Sequence, residues 1–353
     1  MEAQMRLVYF KEPTDMTDVS KMPHGVSGIG IQELDLSGAP EGTWRLLETA
    51  HGYHSITRTN SKRSPAGGQW LPEASLLKRC PGLLAICIPG AGYDIVDLDA
   101  CTEKGIIVCN QSGAGREAVA EHAFGFMLAL SKKIGLADRT IRRTADWHRP
   151  ALAGNDLLGK TVGIVGFGQI GSRLGQLCRM LEMEILACDP YLSGSQIAER
   201  GGAKVELDDL LARSDFVSLN GPLTKESQGM FGRAQFQRMK RNAFFITTAR
   251  GGVHDESALV EALREGWIAG AGVDVFPVEP PLPDNPLFAF DNVLVTPHTA
   301  GITIETLRSL AKASADQWTL IATGKRPPRL LNPQAWPLYC DRFERQFGGR
   351  PSN

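Results

Sequence analysis

The chain has 353 residues, 38 basic and 39 acidic side chains, a formal net charge of −1 and 42% hydrophobic residues. That length holds two domains with cores of their own, and the balanced, interspersed charge carries no footprint for nucleic acid or an anionic membrane. No apolar run approaches membrane-spanning length, and the polar start, Met1 to Arg6, is not that of a secretory leader. Seven cysteines without CxxC or zinc-like spacing read as buried free thiols of a reducing cytoplasm.

Residues 1–110 read as one α/β unit. Short strands are expected at Leu7–Phe10, around Tyr53–Thr57, at Leu83–Ile88 and at Ile106–Cys109, with helices near Trp44–Ala50 and Leu71–Lys78. Asn60–Gln69, rich in Gly, Ser and Pro, reads as an exposed loop. Asn110–Gly115 links to an amphipathic helix over Arg116–Ile134, where Val119, His122, Ala123, Phe126, Met127 and Leu130 share a face. His122 there reads as a core histidine rather than a catalyst, and the arginines of Arg139–Arg149 as a solvated face.

Lys160–Pro190 carries the strongest pattern. Thr161–Val165 is a β-branched run bounded by glycine, Gly166-Phe-Gly168-Gln169-Ile170-Gly171 follows, and Gln169–Leu181 has helical spacing, with Ile170, Leu174, Leu177 and Leu181 on one face. In this strand–turn–helix unit Gly166 permits the turn, Gly168 lets the backbone approach a pyrophosphate and Gly171 allows close helix packing, while the helix N-terminus offers N–H groups to the anion. A second strand, Glu184–Cys188, ends at Asp189, whose carboxylate accepts hydrogen bonds from a ribose 2′-OH and repels a 2′-phosphate, so the cofactor reads as NAD rather than NADP.

Alternation then continues: strands at Asp215–Leu219, Ala243–Thr247, Ala271–Val275 and Val293–Thr296, helices at Arg233–Met239 and Glu256–Glu265. Such alternation means a parallel sheet covered on both faces, with ligands at the carboxyl ends of its strands. Asn220–Thr224, Thr248–Gly252, Asp274 and Pro297-His298 fall at those ends. A helix over Thr303–Thr323 and a Pro-rich tail with Trp336 and Tyr339 close the chain.

Arg250, Glu279 and His298 form a chemically complete set. A guanidinium offers a bidentate fork to a carboxylate. Imidazole takes or gives a proton near neutrality, and a carboxylate beside it fixes its tautomer and favours the imidazolium. Each of the three could also be structural or solvated.

The sequence resembles the D-isomer-specific 2-hydroxyacid dehydrogenases, the family of phosphoglycerate dehydrogenases and glyoxylate/hydroxypyruvate reductases. The matching stretches are Gly90-Ala-Gly-Tyr-Asp94, Val119-Ala-Glu-His122, Gly163 to Gly171, Pro222-Leu-Thr224, Thr248-Ala-Arg-Gly-Gly252, Gly272 to Phe276 with Glu279-Pro280, and Thr296-Pro-His298. They occur in the family's order, from about Met5 to Pro333. The resemblance implies two Rossmann-like α/β domains with a cleft between them: a flavodoxin-like substrate-binding domain (1–113 plus 300–353) and an NAD-binding domain (114–299). It implies that Arg250 anchors a substrate carboxylate together with the Gly90, Ala91 and Gly92 amides, that His298 is the general acid/base and that Glu279 is its partner. Asp274 matches the residue contacting the nicotinamide carboxamide, and Pro222, Thr248 and Ala249 also fall on the cofactor side. The partners implied are a small 2-hydroxy or 2-oxo acid and a second copy of the chain, paired through the NAD-binding domain, with the Arg116–Ile134 helix resembling the dimer-forming one.

Asn220 stands where many members have a histidine, the Asn60–Gln69 loop is longer than usual, and no regulatory domain is expected after residue 353. The alternatives are a phosphite-type dehydrogenase, and an NAD-sensing binding protein similar to the corepressors that share this fold.

Overall fold

The computed structural model describes residues 4–10, 29–35, 40–57, 67–145 and 147–352. Arg58 and residues 60–66 of the expected loop lie outside them. The chain divides into two compact units, residues 1–115 with 303–353, and residues 116–302.

In the first unit, β1 (Met5–Phe10), β2 (Ile29–Leu34), β3 (Gly52–His54), β4 (Ala85–Cys87) and β5 (Ile107–Cys109) form a sheet in the order β2-β1-β3-β4-β5, every pair parallel. Successive side chains of a strand point to opposite faces, so this sheet has two cores. Val8, Phe10, Tyr53, Ile86 and Val108 pack with Trp44, Leu47, Trp70 and Leu76 on one side. Leu7, Tyr9, Ala85, Cys87 and Cys109 pack with Trp318, Ile321, Trp336, Tyr339 and Phe343 on the other. The last two helices, Ile304–Ala322 and Trp336–Phe347, therefore complete the N-terminal sheet. The Pro-rich tail is largely helical because Trp336, Tyr339, Cys340 and Phe343 recur at helical spacing and are all buried.

In the second unit, β6 (Thr161–Val165), β7 (Glu184–Cys188), β8 (Ala203–Lys204), β9 (Phe216–Leu219), β10 (Phe244–Thr247), β11 (Gly270–Val273) and β12 (Val293–Val295) form a parallel sheet in the order β12-β11-β10-β9-β6-β7-β8. β6, β9 and β11 are buried at every position, as a sheet covered on both faces requires. The strand order turns at β6, which lies between β7 and β9; ligands bind at such a switch point, outside the carboxyl ends.

The expected strands are present, β1 longer than expected at its start, and several stop sooner, since residues beyond the ladder lose their parallel partner: Ala271–Val275 is observed as Gly270–Val273 and Leu83–Ile88 as Ala85–Cys87. The helix expected over Gln169–Leu181 stops at Arg179, and Leu181 is exposed rather than on the buried face. The helix expected over Arg116–Ile134 ends at Ser131. Lys133 then takes a left-handed φ of 53° and caps a separate helix, Ile134–Arg143, that buries none of its residues. Ile134 and Ile141 stand exposed on it, with Trp147 beside it.

All seven cysteines are free and only Cys188 is less than buried. Among the described residues no helix is long and apolar enough to cross a membrane.

Two histidines lie buried in the cores. His54 on β3 receives a hydrogen bond from Trp318 Nε1 (3.3 Å), and His254 packs against Phe245 at 5.5 Å between ring centroids. Burial pushes each imidazole down to about 4. Between that value and 6.5 the unfolded chain takes up protons that the folded chain refuses, so their stabilisation is full above the window and is lost as pH falls through it, at about 3 kcal/mol each. The denaturant midpoint should drop between about pH 7 and about pH 5, and His254→Leu should remove about 2 kcal/mol of that drop; an unaltered pH dependence in the variant contradicts this assignment.

Candidate active and cofactor site

The end of β6 builds an anion-ready turn. Gly166 has a left-handed φ of 85°, and a Cβ on Gly171 would lie 2.1 Å from the Gly166 carbonyl oxygen. Only glycine therefore lets the Gln169–Arg179 helix begin so close to the strand. A Cβ on exposed Gly168 meets nothing within 4 Å, so the space beside it is open. Gln169 is exposed and Ile170 half-buried at the first turn of the helix, whose N-terminal amides face that side.

Asp189, at the end of β7, accepts from Phe167 N (2.8 Å) through Oδ2 and from Tyr191 N (2.9 Å) through Oδ1. Its carboxylate braces the glycine turn and keeps lone pairs for a hydroxyl. At the ends of β9 and β10 the structure places Asn220, Pro222, Thr248 and Ala249. Asn220 Oδ1 and Thr248 Oγ1 are buried with no hydrogen-bond partner in the protein. Such orphaned groups cost about 1–3 kcal/mol each unless a ligand or water pairs them. The open glycine, the helix N-terminus, the acceptor carboxylate and the orphaned polar atoms together fit a dinucleotide.

Arg250, Glu279 and His298 are brought together beyond β10, β11 and β12. Glu279 Oε2 lies 2.8 Å from His298 Nδ1, and Glu279 Oε1 accepts from Phe276 N at 3.1 Å. Burial alone would raise this carboxyl; the hydrogen bond and charge of His298, the Phe276 amide and the Arg250 charge outweigh it, and its pKa lies below the ordinary carboxylate value. An ionised carboxylate only accepts, so Nδ1 carries a proton and Nε2 is the ring nitrogen left for chemistry. Arg250 follows β10, with Nη1 donating to Ala249 O at 2.7 Å. Its neighbour Gly251 presses on the Glu279 segment: a Cβ there would fall 2.0 Å from Phe276 C.

Asp274 has no exposed surface. Its Oδ1 accepts from Thr296 Oγ1 (2.5 Å) and Thr299 N (2.8 Å), and its Oδ2 from Ala300 N (3.0 Å). In this arrangement the carboxylate holds the segment carrying His298. Thr296 was legible only as part of a motif; nothing in strand periodicity signals its hydroxyl link. Gly90, Ala91 and Gly92 belong to the first unit, after β4, in a turn where Gln111 N donates to Gly90 O (2.8 Å) and Asn110 Nδ2 to Ala91 O (2.7 Å).

Comparison with known proteins bears on this arrangement. Residues 124–300 match the model of the D-isomer specific 2-hydroxyacid dehydrogenase, NAD binding domain. A glyoxylate reductase of Korarchaeum cryptofilum is 39% identical over 263 residues, 74% of this chain and 79% of that one. The chain belongs to the D-isomer-specific 2-hydroxyacid dehydrogenase family. A D-3-phosphoglycerate dehydrogenase of Archaeoglobus fulgidus is also 39% identical, over 252 residues, but the chain spans only 48% of that protein's length. Among solved structures, D-lactate dehydrogenase from Aquifex aeolicus complexed with NAD and lactic acid is similar with a TM-score of 0.76 and 27% identity, over 90% of this chain and 96% of that one. The matched family domain is one that binds NAD, and the glycine turn and Asp189 lie within it.

The two glycines separate cofactor binding from folding. Gly168→Ala should leave the denaturant midpoint close to that of the parent yet weaken NADH binding, read by fluorescence titration, about 10-fold or more, because its methyl fills space meant for the pyrophosphate. Gly171→Ala should lower the midpoint itself. Unchanged NADH affinity in Gly168→Ala contradicts the placement.

Proposed function

We propose that this protein interconverts a D-2-hydroxy acid and its 2-oxo acid. The observation that carries the reading is the 2.8 Å pairing of His298 Nδ1 with an ionised Glu279, beside Arg250 and in a chain of this family. Bound NAD supplies the hydride acceptor in oxidation and, reduced, the hydride donor in the reverse direction.

Arg250 is the cation for the substrate carboxylate, as a bidentate fork; the Gly90, Ala91 and Gly92 amides are assigned to the same group by resemblance alone. In oxidation His298 Nε2 accepts the hydroxyl proton as the hydride departs, and the ring becomes an imidazolium facing Glu279. In reduction the imidazolium gives that proton to the carbonyl oxygen. Glu279 holds the tautomer that leaves Nε2 as the acceptor and stabilises the charged ring. We assign Gly166, Gly168, Gln169, Ile170 and Gly171 to the pyrophosphate, Asp189 to the ribose, and Pro222, Thr248 and Ala249 to the cofactor side; the Asp274 carboxylate, expected there by resemblance, is without exposed surface and turned to Thr296, Thr299 and Ala300. The free thiols suit a reducing cytoplasm. The exposed Ile134, Ile141 and Trp147 suit pairing with a second copy, which sedimentation as a monomer would contradict.

The reading is tested by Glu279→Gln. A neutral amide can also donate and no longer fixes the tautomer that leaves Nε2 for the substrate, so kcat/KM for 2-oxo acid reduction should fall on the order of 10²-fold, while NADH affinity is kept. An unchanged kcat/KM in Glu279→Gln removes the role given to Glu279.

A further inference from the structure

His298 sits in a backbone conformation that few side chains tolerate, with φ of +55°. Residues other than glycine remain in that region only where their surroundings over-determine it. Here the restraint is visible. His298 N donates to Asp274 O (2.7 Å), and the next two amides, Thr299 N and Ala300 N, donate to the two oxygens of the Asp274 carboxylate (2.8 and 3.0 Å). The turn carrying the acid/base is thus clamped from both the main chain and the side chain of one buried residue.

That carboxylate is in turn oriented by a chain of side chains. Thr296 Oγ1 lies 2.5 Å from Asp274 Oδ1 and 3.0 Å from His122 Nε2. Both Asp274 oxygens already accept backbone N–H groups, so the Thr296 hydroxyl spends its own proton on Asp274 Oδ1. Its oxygen must then accept, which makes His122 Nε2 an N–H donor and fixes the His122 tautomer. The chain runs in one direction: His122 Nε2–H to Thr296 Oγ1–H to Asp274. The imidazole is itself held, standing edge-on to Phe126 with centroids 4.7 Å apart and planes at 87°. Phe126 fills the space over Gly272, where a Cβ would meet its Cγ at 2.7 Å. His122 is therefore seated on β11, the strand that leads to Asp274.

We propose that His122, acting through Thr296 and Asp274, is a positioning residue for His298. Its Nε2–H keeps the Thr296 hydroxyl turned toward Asp274, and Asp274 keeps the left-handed turn at His298 in the geometry in which Nδ1 meets Glu279. The inference rests on the acid/base role proposed for His298; its link through Thr296 is testable apart from that role.

The experiment uses the full chain with NADH bound, in three variants. Thr296→Val keeps the shape and removes the hydroxyl. His122→Phe removes the donor, and His122→Gln restores an N–H near the position of Nε2. With glyoxylate as probe, Thr296→Val and His122→Phe should lower kcat about 10-fold or more while the KM for NADH stays within about 2-fold, and His122→Gln should recover most of the loss. In histidine-selective 15N NMR of the parent, His122 should carry its proton on Nε2, and the His298 ring signals should move in Thr296→Val and be regained in His122→Gln. A purely structural His122 would lower the denaturant midpoint and leave kcat of the folded enzyme and the His298 signals unchanged, which overturns the proposal, as does a His122 protonated on Nδ1 alone. A parent that binds NADH but reduces no 2-oxo acid would sink the hydroxyacid reading, and the NMR comparison would then decide the link by itself.

Discussion

The site depends on one contact, the hydrogen bond between a carboxylate and an imidazole that come from different loops. Glu279 follows β11 and His298 follows β12, and their meeting at 2.8 Å is what gives the imidazole a defined tautomer and a charge partner. Everything that places the two loops serves this contact. The Phe276 amide holds the other oxygen of Glu279, and Asp274 holds the turn at His298. Gly251 lets the Arg250 loop lie against Phe276 and Pro277. A carboxylate in this setting would be raised by its burial, and it remains ionised because a histidine, an amide and an arginine charge act on it together.

The parallel sheet makes that convergence possible. Parallel strands release the chain at the same edge each time, so residues far apart in sequence reach one line. The ends of β6 and β7 supply the glycine turn and Asp189, the ends of β9 and β10 supply Asn220, Thr248 and Arg250, and the ends of β11 and β12 supply Asp274, Glu279 and His298. Strand ends are also where the sheet leaves polar groups unpaired, and the orphaned Asn220 and Thr248 atoms are what a bound dinucleotide or water would satisfy.

Much of this was legible in the residues. β-branched runs bounded by glycine marked β6, and the Gly166–Gly171 spacing with Asp189 after the next strand pointed to a cofactor turn, because each of those positions answers a separate steric or electrostatic need. Arg250, Glu279 and His298 stood out as ionisable residues after strands, but only the resemblance assigned their roles. What could not be read is set by single backbone conformations or by contacts between residues far apart in the chain. The Lys133 break is set by a single left-handed residue rather than by a change in hydrophobic period. Ile29–Leu34 pairs at the sheet edge with mostly half-buried or exposed side chains and so lacks a strand's apolar signature. His122 looked like a core residue because it shares a face with Ala123 and Phe126; that its Nε2 meets Thr296 is fixed by helix packing on the strands. The same holds for Asp274, whose buried carboxylate turns toward the backbone of its own unit.

We propose that this site moves a hydride between NAD and the carbon bearing the hydroxyl of a 2-hydroxy acid. The most direct measurement is the loss of NADH absorbance on adding glyoxylate, hydroxypyruvate, phosphohydroxypyruvate, 2-oxoglutarate and branched-chain or aromatic 2-oxo acids in turn, with the His298→Ala variant alongside. Turnover of at least one acid by the parent, abolished in His298→Ala although NADH still binds, is the result expected. Tight NADH binding with no turnover of any of them, or a His298→Ala variant as active as the parent, would contradict it.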